Sequence, residues 1–142
     1  MTEHAIRTAV EATGFTSSHE LDTLSQRWSK APDDLVKAVM GMLTVLSKLK
    51  NVELVARLNN RISGYGYNPR GRRRECFHIG VLRDGTAIIY QLGAGNVMPD
   101  FFTEHQETKP NARHGYLHQG NLHLIRSIQT VLEQSFKNLT QR

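Results

Sequence analysis

Arg70, Arg72, Arg73 and Arg74 fall within five residues, inside the run Gly64-Tyr-Gly-Tyr-Asn-Pro-Arg-Gly-Arg-Arg-Arg-Glu75. Guanidinium forks pair with phosphate oxygens, and glycines let backbone amides come close to a ligand. Tyr65 and Tyr67 add rings of the kind that stack on bases or sugars beside a basic groove. Charge, rings and backbone freedom in one segment point to a phosphate-bearing ligand, either nucleic acid or a phosphorylated nucleotide.

Two other groups of residues could do chemistry. His78 lies two residues from Cys76, the one cysteine of the chain. A Cys–His pair is one reading, but the apolar, strand-like neighbours favour a buried thiol and a histidine satisfied within the fold. His105, His114, His118 and His123 crowd a later segment. His114-x3-His118-x4-His123, with Asp100 or Glu104, makes a ligand set only if the chain curls. Gly115 and Gly120 interrupt any helix that would space those rings. No metal and no cofactor is therefore expected. A metal- or His-dependent phosphodiester enzyme, using His78 or His114 and His118, stays a third reading behind two kinds of binding protein. The chain shows no nucleophile triad, Walker loop or carboxylate-rich metal set.

The whole-chain balance agrees with a polyanionic partner. The 142 residues carry 18 Lys/Arg against 13 Asp/Glu, a net charge of +5. Residues 1–63 hold eight cations and seven anions, and residues 64–142 hold ten and six, so the second half carries most of the excess. Such a balance speaks to association and solubility, and a merely solvated basic surface would look the same. A lone cysteine excludes an internal disulfide. No apolar run approaches the roughly 20 residues needed to span a bilayer, and no signal peptide opens the chain. A cytoplasmic protein is the default expectation.

The elements that must position these residues come next. Residues 1–63 read as mainly helical. A first helix covers Thr2–Thr13, a second is capped by Ser17 or Ser18 and runs to Trp28, and a third spans residues 32–50. Pro32 suits the first turn of that third helix, and Asp33 and Asp34 complement its dipole. Its apolar residues, Leu35, Val39, Leu43 and Leu46 widened by Val36, Met40, Val45 and Leu49, exceed one stripe. Either the helix is central and buried, or it offers a homodimer interface. Residues 52–62 fit a continuing helix better than a strand.

Residues 64–96 form the β-hairpin region. Asp84-Gly85 is the preferred dipeptide of a two-residue type I′ turn. Counting outward pairs Val81 with Ile88, Ile79 with Tyr90 and Phe77 with Leu92, all on one face, and places His78 opposite Gln91 on the other. Gly64-Tyr65-Gly66-Tyr67 shares four positions with the RNP1 motif of RNA-recognition domains. Ser63, Asn68, Pro69 and Arg70 break that pattern, and the helix-first order of elements breaks the fold.

The hairpin also gives the arginines an address. They enter its first strand while Gly93-Ala94-Gly95-Asn96 leaves its second, so the two segments should lie side by side. Gly93, Gly95 and Asn96 could then form an anion-binding nest beside Arg70–Arg74. Residues 97–120 read as a long loop whose Lys109 and Arg113 could close over the ligand. Residues 121–140 read as an amphipathic helix capped by Asn121 and buried through Ile128, Leu132, Phe136 and Leu139.

The architecture implied is α+β in one domain, 1–142: N-terminal helices, a small antiparallel sheet centred on the 76–92 hairpin, and a C-terminal helix on its apolar face. The leading functional expectation is a small basic protein that binds nucleic acid or a phosphorylated nucleotide. The alternative is a protein-interaction or inhibitor protein whose basic patch docks on an acidic partner.

Overall fold

The computed structural model describes residues 26–57, 61–82, 84–85, 87–92 and 114–141. Within them, helix α1 (Asp33–Ser47) leads into strands β1 (Val52–Arg57), β2 (Arg61–Tyr67), β3 (Arg73–Val81), β4 (Ile88–Leu92) and β5 (His114–Leu117). A 3-10 helix (Gln119–Leu124) then leads into helix α2 (Ile125–Gln141). The strands form one antiparallel sheet in chain order, β1-β2-β3-β4-β5. The fold is α+β, as the sequence implies, and β3 sits at the centre of the sheet. No helix of the described residues is long and apolar enough to cross a membrane.

Both helices pack on one face of the sheet and touch each other. Strand alternation decides which residues meet them. Leu54, Ala56, Ile62, Phe77, Ile79, Val81, Ile88 and Leu117 face the helices and are buried. From α1 come Leu35, Val36, Val39, Met40, Met42, Leu43 and Leu46, and from α2 come Ile128, Leu132, Phe136 and Leu139. The surplus apolar width of α1 is therefore absorbed within the chain. Val45, at 41% exposure, is the exposed large hydrophobic residue among those described.

The hairpin register counted from Asp84-Gly85 holds at every described pair. Phe77 opposes Leu92, His78 opposes Gln91, Ile79 opposes Tyr90 and Val81 opposes Ile88. The turn type differs from the expectation. Gly85 has φ 75, and its N–H bonds back to the carbonyl of Leu82, three residues earlier, whereas a two-residue type I′ turn on Asp84-Gly85 would begin one residue later. Leu82 closes the loop by donating to the Ala87 carbonyl at 3.0 Å and accepting from the Gly85 N–H at 2.8 Å. Gly85 also lies against the Lys30 carbonyl, 2.8 Å from where a Cβ would stand. The tip is docked on the segment before α1.

Four further expectations are corrected. Residues 52–62 hold strand β1 and the start of β2, where helix was expected. Asn51, at φ 63, turns the chain out of α1, a conformation asparagine tolerates. Val52, Leu54 and Ala56 alternate inward, but Val55 on the other face hides the period. Pro32 occupies the N-cap, one residue before the first turn, where its carbonyl accepts from Val36 N–H. The last part of the 97–120 loop contains β5, which pairs with β4. Asn121 falls inside the 3-10 helix, and α2 begins four residues later. Of the two helices expected ahead of α1, the first lies outside the described residues, and the described end of the second, Gln26–Trp28, is helical.

Candidate nucleic-acid interface

The arginine-rich run is the turn between β2 and β3, and its backbone is closed on itself. Asn68 N–H donates to the Arg72 carbonyl at 3.0 Å, and Gly71 N–H donates to the Asn68 carbonyl at 2.8 Å. The Asn68 side-chain oxygen accepts from the amides of Arg70 at 3.0 Å and Arg72 at 2.9 Å. Pro69 pre-sets the first corner, and Gly71 takes φ 78 at the bulged end of the turn. The amides of Arg70, Gly71 and Arg72 are thus spoken for, which leaves the side chains, and not the backbone, to meet an anion.

Those side chains do not converge as one cluster. All four are exposed, but alternation separates neighbours. Tyr67 pairs with Arg73 and Gly66 with Arg74. Arg73 therefore follows the tyrosines to the face away from the helices, and Arg74 shares the helix face. Arg72, Arg74 and Asn68 border a small cleft whose other wall is Leu139 of α2.

That contact brings in cations that spacing alone does not join to the arginines. Leu139 and Thr140 lie over Gly66. Tyr67 N–H donates to the Asn51 carbonyl at 2.9 Å, which fixes the α1–β1 link beside the same end of β2. Between that link and α2 runs an open groove of about 620 Å³, bordered by Lys50, Asn51, Glu133, Lys137 and Thr140. Lys50 and Lys137 are exposed, like the four arginines. Three segments distant in sequence thus build one basic pole: 49–51, 68–74 and the end of α2.

The tyrosines are engaged in the fold. Tyr65 is 6% exposed, and the Arg73 guanidinium covers its ring, 4.1 Å from the centroid. Tyr67 is half-buried and its hydroxyl donates to Glu53 Oε2. That bond, foremost, then burial and the charge of Glu53 hold its pKa above the usual phenol value, with Arg73 pulling the other way. Neither ring is an open stacking platform, so the stacking role expected of Tyr65 and Tyr67 is not what the geometry offers. Their glycine neighbours have a packing reason. Gly64 lies beneath Phe77 and Phe136, whose rings meet edge-to-face at 5.9 Å.

His78 is also bonded on both nitrogens, to Glu75 Oε1 at 3.0 Å and Arg61 Nη1 at 2.9 Å. Cys76 is fully buried. No pairing of the two follows, because Cys76 lies with the core while His78 faces away from it. Arg61 and Glu75 were not legible as partners of His78, since only the β2–β3 register brings them together. His118 is exposed and its Nδ1 accepts from Gly120 N–H at 3.0 Å. Among the described residues no group of three His, Cys, Asp or Glu is placed to hold a metal. Gly93, Gly95, Asn96, Lys109 and Arg113 lie outside the described residues, as do Asp100, Glu104 and His105. Comparison with protein-family models, with curated proteins and with solved structures returned no match to this chain.

Proposed function

We propose that this protein binds the phosphate backbone of a nucleic acid through its basic pole. The observation that carries the reading is that Arg72 and Arg74, Lys50 and Lys137, all exposed, border two clefts along the end of α2 from three separate segments. A spread of cations over an open surface suits a polymer of phosphates better than one nucleotide, which would call for an enclosed pocket. Arginines on a rigid turn lose little freedom on pairing. With the turn amides used internally and the rings covered, contact is through charge, and sequence preference is weak.

Salt titration tests this directly. Anisotropy of a labelled single-stranded oligonucleotide should show log K falling linearly with log salt. Arg72→Ala with Arg74→Ala should flatten the slope by about 1.4, from roughly 0.7 per lost phosphate contact on a single strand. Binding that ignores salt, or none to any RNA or DNA, overturns the proposal. The same cations would also meet an acidic protein surface. A defined acidic partner that binds stoichiometrically while oligonucleotides fail would replace the nucleic acid in this reading.

A further inference from the structure

Glu75 and His78 are three residues apart, a spacing that puts two side chains on opposite faces of a regular strand. Here they share a face. Tyr65 pairs with Glu75 and Ser63 with His78, and the extra residue, Cys76, is absorbed by a bulge opposite Gly64 and Tyr65. Bulges of this kind re-aim side chains and recur beside active sites. This one turns a carboxylate and an imidazole together toward the sheet face away from the helices.

The resulting chain is Glu75 Oε1, 3.0 Å from His78 Nδ1, and His78 Nε2, 2.9 Å from Arg61 Nη1. A guanidinium only donates, so Nε2 is the acceptor and Nδ1–H donates to Glu75. This is the order of a general base and the group that orients it. The side chains of His78 and Glu75 are 21% and 34% exposed, so both are reachable.

We propose that this face cleaves RNA by internal transesterification. His78 is the general base, Glu75 the positioning residue that holds its ring, and Arg61 the cation that meets the scissile phosphate. The inference rests on the nucleic-acid reading above and extends it to a reaction. The face offers a base and cations, and the described hydroxyl and thiol beside the imidazole are out of reach: Ser63, opposite His78, is 2% exposed, and Cys76 is 0% exposed. RNA carries its own nucleophile, the ribose 2′-hydroxyl. Arg73, farther along the same face of β3, continues the phosphate path to the basic pole.

The step balances without a co-reactant. The substrate phosphate pairs with Arg61 and draws the guanidinium off Nε2. Nε2 takes the 2′-hydroxyl proton as that oxygen bonds to the adjacent phosphorus. The bond from phosphorus to the 5′-oxygen breaks, leaving a 2′,3′-cyclic phosphate. The leaving oxygen takes a proton from water, and the imidazolium returns its proton to the hydroxide so formed. Arg61 stabilises the charge that builds on the non-bridging oxygens.

The test incubates the purified full chain with an end-labelled single-stranded RNA and with the same sequence as DNA. RNA should be cut to 2′,3′-cyclic phosphate and 5′-hydroxyl ends, and the DNA should stay intact. His78→Ala, and separately His78→Gln, should slow cleavage by about 100-fold or more, with the thermal midpoint checking that each variant folds. Glu75→Gln, which still accepts from Nδ1–H, should keep more activity than Glu75→Ala. RNA bound with the expected salt slope yet left uncut overturns the catalytic proposal alone. Cleavage at full rate in both His78 variants overturns it as well, and cleavage of the DNA removes the 2′-hydroxyl mechanism. Failure to bind RNA at all overturns the nucleic-acid reading together with it.

Discussion

The two faces of β2 and β3 are made from the same few residues and obey different physics. On the helix face, Gly64 and Gly66 remove side chains so that α2 can close on the sheet, and Phe77 and Phe136 fill the space. On the other face, Tyr65 and Tyr67 alternate with those glycines and enter polar contacts with Arg73 and Glu53. The first face is specified by volume and tolerates almost no change. The second is specified by hydrogen bonds and charge, part of which water can replace. Stability should therefore be concentrated on one side of the strands and chemistry on the other.

The glycine face should show the largest effect. A Cβ on Gly64 would stand 2.2 Å from Phe77 Cε1 and 2.9 Å from Phe136 Cζ. Both rings are almost fully buried and locked edge-to-face, so neither can swing aside. Gly64→Ala should cost about 3 kcal/mol, the upper range for overpacking a filled core. Two residues on, a Cβ on Gly66 would meet Thr140 Cγ2 at 3.3 Å and Leu139 Cβ at 3.4 Å. Thr140 is only half-buried and can give, so Gly66→Ala should change stability by less than about 1 kcal/mol, with the backbone entropy gain offsetting the contact. Urea unfolding of the two variants reads the difference. Equal losses would mean that the helix face is not graded by depth as described.

The turn that joins the strands should respond next. Asn68→Ala removes the oxygen that accepts from the amides of Arg70 and Arg72. The turn is exposed, so water takes over both donors and the cost should be about 1 kcal/mol. Hydrogen exchange would localise it: the amides of Arg70 and Arg72 should exchange faster, while those of Phe77 and Ile79 keep their protection relative to global stability. A uniform rise in exchange across β3 would show that the turn and the core open as one unit.

How far the sequence carried the fold depended on whether a signal was local. The β3–β4 register followed from one dipeptide, because pairing propagates by counting, and it survived an error in the turn type. Strand β1 was missed because Val55 sits on the outer face and breaks the alternation that Val52, Leu54 and Ala56 keep. Strand β5 is four residues, His114–Leu117, with a glycine inside, too short for any period to appear. The bulge at Cys76 has no local mark either, since two adjacent apolar residues read equally as strand or helix. The candidate site divides the same way. The arginine run was visible at once, but the shared face of Glu75 and His78 depends on that bulge. Lys137 reaches the pole only through the packing of α2 on Gly66, and Lys50 only through the bond from Tyr67 to Asn51. The two tyrosines looked like stacking platforms because composition says nothing about which partner already covers a ring.

The smallest expected effect lies on the polar face and depends on pH. Tyr67 donates to Glu53, and that bond above all raises its folded pKa above the ordinary phenol value. A group held in its protonated form by folding contributes stability that is fully present below its unfolded pKa, about 10, and lost as pH rises through the higher folded value. Wild type should therefore exceed Tyr67→Phe in stability at about pH 8, and the gap should close as the pH passes about 10 and continues upward. Comparing the two proteins cancels the general effect of alkali, since every other group is common to both. Glu53→Gln supplies the control for cause: the amide lacks the charge that opposes a phenolate, so in that background the gap should fade at lower pH. A gap constant with pH in wild type would mean that Tyr67 is held by packing, and the two faces of the strands would then differ less than their hydrogen bonds imply.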